Sequence, residues 1–212
     1  MTYRNRSDAG RQLAVALDHL RGAEVVVLGL PRGGIAVGSV VAASLGAPLD
    51  VIVVRKLGVP TQPELAMGAI GEGGVLVANR EVLVSSGVDA STFAAVERAE
   101  QVELDRRAAA YRVGRTRIPL ERRTAIIVDD GLATGSTARA ACQVVRASGA
   151  ARIVLAVPVG PRNIGRDFAG LADEVVCPAT PEPLFAIGEA YADFSPVSDD
   201  EVIELLNRSL AQ

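Results

Sequence analysis

Two adjacent carboxylates, Asp129 and Asp130, directly follow four apolar residues in the stretch AIIVDDGLATGST, residues 125–137. Ionised carboxylates accept hydrogen bonds and donate none, so a neighbouring pair suits a ligand that presents two hydroxyl donors, such as the vicinal diol of a ribose. Their charges also favour a nearby cation or a developing carbocation. The pair is therefore our first candidate for catalysis and for sugar binding.

The residues that follow the acid pair are small or carry hydroxyl groups, and they lead into a predicted helix. At a helix start the first backbone N–H groups are unpaired and the helix dipole is positive, so a phosphate can bind there without a lysine. The competing interpretation is a loop chosen for turning, in which a serine or threonine caps the helix. The residues concerned are Ala133, Thr134, Gly135, Ser136 and Thr137.

A second glycine-rich stretch, LPRGGI at residues 30–35, lies between the first predicted strand and the helix that follows it. Gly33 and Gly34 allow backbone N–H groups to approach an anion closely, and Arg32 adds a forked cation. The stretch therefore suits a pyrophosphate. The competing interpretation is a tight turn with a surface arginine.

Specific residues exclude three other classes of motif. GLATGST (131–137) lacks the lysine and the spacing of a P-loop, and GLPRGGIAVG (29–38) does not match the dinucleotide pattern GxGxxG. A receiver-type acid pair would come after the first strand with a lysine downstream, whereas this pair comes late and no lysine follows it. None of these classes accounts for the acid pair.

The stretch 125–137 resembles the binding motif for phosphoribosyl pyrophosphate (PRPP) in type I phosphoribosyltransferases, with four apolar residues, two acids and a small-residue loop that ends in Thr-Gly-x-Thr. The resemblance implies that Asp129 and Asp130 hold the ribose hydroxyls and that residues 133–137 bind the 5′-phosphate. It also makes LPRGGI the pyrophosphate loop, with a non-proline cis peptide bond expected between Pro31 and Arg32.

The resemblance extends to Arg55 and Lys56, which end a predicted strand and are similar to an Arg-Lys pair that adenine phosphoribosyltransferases place on the pyrophosphate. Lys56 is the only lysine in the chain, and we predict a catalytic role for it beside the two aspartates. The competing interpretation is an exposed charge pair at a strand end. Residues 58–64, GVPTQPE, are expected to form a loop that closes over the reaction, and Glu64 is an unassigned acid within it.

The activity implied by the resemblance is the Mg²⁺-dependent transfer of the 5-phosphoribosyl group from PRPP to a nucleobase-like nitrogen acceptor, with release of pyrophosphate, as in nucleotide salvage. The Mg²⁺ would be held mainly by PRPP and water, with Asp129 and Asp130 nearby. The alternative is a catalytically weak regulatory protein that binds PRPP or a nucleotide. Retention of the cations Arg32, Arg55 and Lys56 favours the enzyme.

The identity of the acceptor base is left open by the sequence. Ala133 stands where hypoxanthine-type members carry an aspartate, so the stretch is closer to the adenine type. Base selection in the family belongs to a variable hood, which we expect in the tail of this chain. Phe185, Tyr191 and Phe194 are the candidates there for stacking on a base, Phe185 and Tyr191 foremost. The competing interpretation for at least two of the three is packing in the core.

The elements that must position these residues alternate between short β-branched runs and helical patterns. The alternation predicts an α/β fold with a doubly wound, mostly parallel sheet flanked by helices, the type I phosphoribosyltransferase fold. Predicted strands include residues 24–30, 50–57 and 124–130. The longest predicted helix covers residues 91–112, with Glu103 and Arg107 spaced to form an ion pair.

The pattern predicts a single domain over residues 1–212, with a core at about 21–177 and a small C-terminal hood at about 178–212. An inserted hairpin and the long helix would occupy about 66–115. A helix over residues 8–20 is predicted to be capped by Ser7, and SDDE (198–201) is read as the capping box of the last helix.

The composition excludes several classes of protein. A net charge of −3 gives no reason to expect nucleic acid as a partner, and the start of the chain lacks the apolar segment of a secretory signal. The two cysteines, Cys142 and Cys177, form no recognised motif, and a single histidine, His19, leaves no material for a Ser-His-Asp triad. We expect a cytoplasmic homodimer without a membrane partner.

Overall fold

The structure, a computed structural model that describes residues 2–209, is built on two β-sheets. Five strands form a parallel sheet in the order β2-β1-β6-β7-β8, and β3, β4 and β5 form a separate antiparallel sheet. The strands are β1 Val25–Gly29, β2 Leu49–Val51, β3 Val54–Val59, β4 Gln62–Gly71, β5 Val75–Ala78, β6 Thr124–Val128, β7 Arg152–Ala156 and β8 Glu174–Val176.

Helices connect these strands, and two short 3₁₀ turns occur at Asp18–Leu20 and Ile187–Ala190. No helix within residues 2–209 is both long enough and apolar enough to cross a lipid bilayer. The helices are α1 Arg6–Ala16, α2 Gly33–Leu45, α3 Arg80–Ser86, α4 Ala90–Tyr111, α5 Ser136–Ala147, α6 Ile164–Asp167 and α7 Asp199–Arg208.

The parallel sheet is covered on both faces, which confirms the doubly wound prediction. Val25 and Val27 of β1 lie in a core with residues of α1, α2 and α7, whereas Val26 and Leu28 lie in a second core with residues of α5 and α6. Such a strand is buried on both sides, which explains why it is continuously apolar in sequence.

The order of strands places two predicted motifs side by side. β1 and β6 are parallel neighbours that end together, since Gly29 is paired with Val128. The chain order runs outward from this pair in both directions, so their carboxyl ends lie at the switch point where open α/β sheets bind ligands. LPRGGI follows β1 and the acid pair follows β6, so the topology alone brings the two stretches together.

The predicted single strand at 50–57 is wrong in one respect, because the structure divides it between the two sheets. Leu49–Val51 pairs with β1 in the parallel sheet, and Val54–Val59 pairs with β4 in the antiparallel sheet. Ile52 and Val53 join the pieces and are buried. Both pieces are apolar and β-branched, so their local pattern carries no information about which sheet each one joins.

The hairpin predicted near residue 66 is present as β4 and β5, and its turn contains Gly73 and Gly74 at positive φ. The antiparallel sheet nevertheless begins at Val54, earlier than expected. Residues 80–86, which look strand-like in sequence, form α3, whose first turn is capped by the Asn79 side chain accepting from the N–H of Val82.

The expected closing loop at 58–64 is instead the tip of a hairpin. Val59 pairs with Gln62, and Pro60 and Thr61 form the turn between them. A register shift between Leu57 and Gly58 bends β3 before this tip. The structure therefore presents Lys56 and Glu64 on two paired strands.

The N-terminal segment joins the hood, which the sequence did not suggest. The N–H groups of Ala192 and Asp193 donate to the carbonyls of Tyr3 and Arg4 at 2.8 and 2.9 Å. The helix that follows is capped by Asn5, whose side chain accepts from the N–H of Asp8, and not by Ser7 as predicted. At the other end, Ser198 accepts from the N–H of Glu201, the contact expected of the predicted capping box.

Candidate active site

The acid pair lies at the carboxyl end of β6, in the middle of the parallel sheet. The backbone N–H of Asp130 donates to Asp129 Oδ1 at 2.9 Å, which fixes the Asp129 carboxylate relative to its neighbour. Burial, followed by the charge of Asp130, raises the pKa of Asp129 well above the ordinary aspartate value, against the opposing effect of Arg6.

Arg6, the first residue of α1, contacts the acid pair directly and was not singled out in the sequence. Its Nε donates to Asp130 Oδ2 at 2.7 Å, and its Nη1 donates to the carbonyl of Ser195 at 2.7 Å. The guanidinium also lies 4.0 Å from the ring centroid of Phe194. No local signal distinguishes Arg6 from the other arginines, because its partners are 124 and 189 residues away.

Tyr191 follows the competing interpretation, packing in the core. It is buried, with 4% of its surface exposed, and its ring packs against Tyr3 and Phe194. Its hydroxyl donates to the backbone carbonyl of Asp130. Burial, followed by the charge of Asp130, raises the pKa of Tyr191. These contacts favour a supporting role behind the acid pair over stacking on a base.

The LPRGGI stretch at residues 30–35, the glycine loop, is in direct contact with the acid pair. The peptide bond between Pro31 and Arg32 is cis, as expected from the resemblance. A Cβ on Gly34 would lie 2.4 Å from the carbonyl oxygen of Val128, and a Cβ on Gly33 would lie 1.9 Å from Asp130 Oδ2. Both distances are far inside van der Waals contact, so both positions require glycine.

The loop after the acid pair ends in a helix start without a side-chain cap. Gly135 is the N-cap of α5 in the left-handed conformation (φ 74°), and no side chain accepts from the first turn. Ala133, Thr134 and Thr137 are exposed, and the hydroxyls of Thr134 and Ser136 lie 3.3 Å apart. The capping alternative is therefore not observed, and the first N–H groups of α5 face an accessible loop.

A cavity of about 490 Å³ joins three of the predicted segments. It is lined by Pro31 of the glycine loop, by Arg55 and Lys56 of β3, and by Thr137 of α5. Arg32 is exposed immediately before α2. With the contact between the glycine loop and the acid pair, the structure thus brings together four stretches that are separated by up to about 100 residues in sequence.

Arg55 and Lys56 both have carboxylate partners. Arg55 Nε donates to Glu100 Oε2 of α4 at 2.6 Å, and Lys56 Nζ donates to Glu64 Oε2 at 3.1 Å. Glu64 has a largely exposed side chain, so its contact with the lysine is screened by water and readily exchanged for a stronger anion. Phe185, another predicted stacking residue, is 80% exposed on the hood.

The donor set around the acid pair suits Mg²⁺, since it consists of carboxylate oxygens, which are hard ligands. Asp129 Oδ2 and Asp130 Oδ1 accept no hydrogen bond from any residue between 2 and 209. Across the same residues, no group of three or more histidine, cysteine or carboxylate side chains is arranged to hold a metal ion.

The chain is similar to several known proteins. It is 60% identical over 207 residues to a provisionally named phosphoribosyl transferase of Mycobacterium tuberculosis, found in two strains. That alignment covers 98% of this chain and 47% of the relative, so the chain spans about half the length of the curated relatives it matches.

Solved structures give a similar result. The crystal structure of TT1426 from Thermus thermophilus superimposes with a TM-score of 0.92 at 41% identity, covering 98% of this chain and 99% of that one. The AQ2163 protein of Aquifex aeolicus shares the fold alone, with a TM-score of 0.51 at 10% identity, over 86% and 78% of the two chains.

A family model matches most of the chain as well. The model, described as the phosphoribosyl transferase domain, covers residues 4–188, a range that contains the acid pair, the glycine loop and the Arg-Lys pair. The chain therefore belongs to the phosphoribosyl transferase domain family.

Proposed function

We propose that this protein transfers the 5-phosphoribosyl group of PRPP to a nucleobase-like nitrogen acceptor and releases pyrophosphate, with Mg²⁺ as its cofactor. The observation that carries the proposal is the contact of LPRGGI with Asp129 and Asp130 beside a cavity that also reaches Lys56 and Thr137. A molecule of PRPP carries a diol, a phosphate and a pyrophosphate on one sugar, so the three sites that bind these groups must lie close together.

Each stretch has a proposed role that follows from its chemistry. The two free carboxylate oxygens, Asp129 Oδ2 and Asp130 Oδ1, accept from the ribose hydroxyls. The 5′-phosphate binds the N–H groups and hydroxyls of Ala133, Thr134, Gly135, Ser136 and Thr137, the residues at the start of α5.

The leaving pyrophosphate binds the Gly33 and Gly34 backbone with the cations Arg32, Arg55 and Lys56. Breaking the anomeric bond places positive charge on the sugar and negative charge on the pyrophosphate. The aspartates stabilise the positive charge on the sugar, and the cations stabilise the negative charge on the pyrophosphate. Catalysis therefore rests on positioning and fixed electrostatics.

Mg²⁺, when bound, would neutralise part of the pyrophosphate charge. It usually retains water and binds through one or two carboxylates together with substrate phosphates. Asp129 and Asp130 fit that pattern as neighbours of a metal held mainly by PRPP. The protein residues would then orient the diphosphate and exclude water.

The acceptor is proposed to enter from the hood side. Phe185 offers an exposed ring there, and Ala133 leaves room where an aspartate would add charge. The single-domain boundaries and the homodimer stay predictions. Light scattering during gel filtration measures the molar mass in solution and so tests the homodimer.

The direct test incubates the protein with PRPP, Mg²⁺ and a panel of purine and pyrimidine bases, and follows pyrophosphate release. Release that depends on one class of base supports the transferase. Tight PRPP binding without release for any base would instead favour the regulatory protein.

The Asp130→Asn variant tests the ribose site. It keeps the size of the side chain and an oxygen for Arg6, but it removes one carboxylate from the diol, so kcat/KM should fall about 10²-fold while thermal unfolding changes little. Asp18→Asn, an exposed aspartate outside the site, is the matched control. Unchanged kinetics in Asp130→Asn would remove Asp130 from the proposed site.

A further inference from the structure

Arg6 is held from several directions, and each contact comes from a part of the molecule near the sugar site. Its guanidinium bonds Asp130 Oδ2 and the Ser195 carbonyl and lies over the Phe194 ring. Its side chain is only 13% exposed. An arginine with so little access to water and with a planar fork of fixed donors is well suited to orient one carboxylate.

The backbone that carries Arg6 is equally constrained. The preceding residues are hydrogen-bonded to the hood, since Thr2 and Tyr3 donate to the carbonyl of Ala190 and Arg4 accepts from Asp193. The following residues enter α1, which is capped by Asn5. Arg6 therefore has a defined position that depends on the hood and on α1 together.

The contacts of Arg6 decide which oxygens of the acid pair are free. Asp130 Oδ2 is taken by Arg6 and Asp129 Oδ1 by the backbone N–H of Asp130. The other two carboxylate oxygens have no hydrogen-bond donor among residues 2–209, so each aspartate keeps one oxygen that no protein group occupies. A vicinal diol needs two acceptors of this kind, side by side.

Gly33 makes the arrangement tight. A Cβ at this position would lie 1.9 Å from Asp130 Oδ2 and 3.0 Å from Arg6 Nε. The Arg6–Asp130 ion pair is thus packed against the bare backbone of the pyrophosphate loop. Without Arg6 the Asp130 carboxylate would lose the contact that holds its orientation on this side.

We propose that Arg6 is a positioning residue that acts through Asp130, holding one carboxylate oxygen so that the other faces the ribose diol. This inference rests on the proposed function of the same site. It assigns no contact between Arg6 and the pyrophosphate, so its effect should be confined to ligands that contain the ribose.

The test compares Arg6→Gln and Arg6→Lys with wild type, using calorimetric titration of PRPP with Mg²⁺, of ribose 5-phosphate and of pyrophosphate with Mg²⁺. Arg6→Gln should bind PRPP and ribose 5-phosphate at least about tenfold more weakly, because Asp130 loses the charge-assisted hydrogen bond that orients it. Its affinity for pyrophosphate should equal that of wild type. Arg6→Lys should recover part of the loss, since it keeps the charge but cannot reach both Asp130 and Ser195. Arg11→Gln is the control, because Arg11 is exposed on the same helix and bonds Asp8, away from the acid pair.

The outcomes separate this inference from the proposed function. If wild type binds neither PRPP nor ribose 5-phosphate, the proposed function fails. If wild type binds both and Arg6→Gln binds them equally well, the inference is overturned. Equal weakening of pyrophosphate binding would also overturn it, since that pattern indicates a general structural role. If Arg6→Gln does not fold, Arg6→Lys provides the test, through its loss of affinity for PRPP and ribose 5-phosphate relative to its loss for pyrophosphate.

Discussion

At the scale of single residues, Asp129 and Asp130 are chemically identical but have different surroundings. Asp130 is paired with Arg6 at 2.7 Å, whereas Asp129 accepts a backbone N–H and has no cation as a hydrogen-bond partner among residues 2–209. Burial and the neighbouring carboxylate therefore raise the pKa of Asp129. A carboxyl group that is protonated in the free protein and ionised beside a cation would couple ligand binding to proton release.

The raised pKa of Asp129 predicts how stability depends on pH. Between the ordinary aspartate pKa of about 4 and the raised value, the folded protein keeps a proton that the unfolded chain has released. The free energy of unfolding therefore contains a contribution that is fully present below pH ~4 and is lost as the pH rises through that window. Asp129→Asn should remove this decline.

The measurement is a set of denaturant titrations of the ligand-free protein across the window. Asp105→Asn is the control, since Asp105 is exposed on α4 and should leave the pH profile of wild type unchanged. An identical pH slope in wild type and Asp129→Asn would contradict the prediction.

Lys56 offers a second test at this scale, because it is the only lysine in the chain. Lys56→Met should raise the dissociation constant of pyrophosphate about tenfold, since a charge-assisted hydrogen bond is lost. Glu64→Gln is the matched control, because it removes the partner of Lys56 but keeps the cation. Isothermal titration of pyrophosphate with Mg²⁺ measures both, and equal affinity in wild type and Lys56→Met would place the lysine outside the site.

At the scale of elements, the site is made by two loops that follow neighbouring strands. β1 and β6 end at the same level, and α2 and α5 begin a few residues later. The approach is so close that Gly33 and Gly34 have no room for a side chain. The loop proposed to bind the pyrophosphate and the acid pair proposed to bind the sugar are therefore coupled by packing.

Alanine substitutions at the two glycines should have different consequences. At Gly34 the added Cβ meets backbone atoms of Val128 and Asp129, which cannot shift without moving the end of β6. Gly34→Ala should therefore cost about 1–3 kcal/mol of stability. At Gly33 it meets the Asp130 carboxylate, which must turn away from Arg6, so Gly33→Ala should lower PRPP affinity and cost less stability than Gly34→Ala.

Thermal unfolding and PRPP titration of both variants separate the two effects. Gly165→Ala in α6 is the control, since nothing lies within 4 Å of its added Cβ. Equal stability of Gly34→Ala and wild type would show that the loops are less tightly packed than the distances indicate.

At the scale of the whole molecule, a buried ion network joins the long helix to the parallel sheet. Arg112, just after α4, bonds Asp50 of β2 and both oxygens of Glu72, and Asp50 also accepts from the N–H of Ile118. Burial alone would lower the pKa of Arg112, but the hydrogen bond to Glu72 and the two negative charges outweigh it and raise the pKa.

Arg112→Met should destabilise the protein by about 3–5 kcal/mol, because it removes the cation that bonds both the buried Asp50 and the partly buried Glu72. Arg106→Met on the same helix, which removes an exposed pair with Glu103, should have a much smaller effect. Chemical denaturation measures both variants, and similar midpoints would show that α4 is held mainly by apolar packing.

Much of the core was predictable from sequence because its signals are local. Buried parallel strands read as apolar runs, the acid pair directly follows one of them, and the ion pair of Glu103 with Arg107 on α4 follows from helical spacing. The same local reasoning fails within residues 75–84, which look strand-like throughout, because β5 ends at Ala78 and residues 80–86 form a helix capped by Asn79.

The sequence by itself determined the family, the order of the core elements and the stretches that could bind a phosphorylated sugar, since each depends on residues close together in the chain. The tertiary structure alone decided that Arg6 bonds Asp130, that the Tyr191 hydroxyl bonds the backbone of the acid pair, and that residues 50–57 divide between two sheets. These features join segments that are far apart in sequence or depend on which strand a segment pairs with. Such partners are chosen by the packing of the whole chain, which no local pattern of residues encodes.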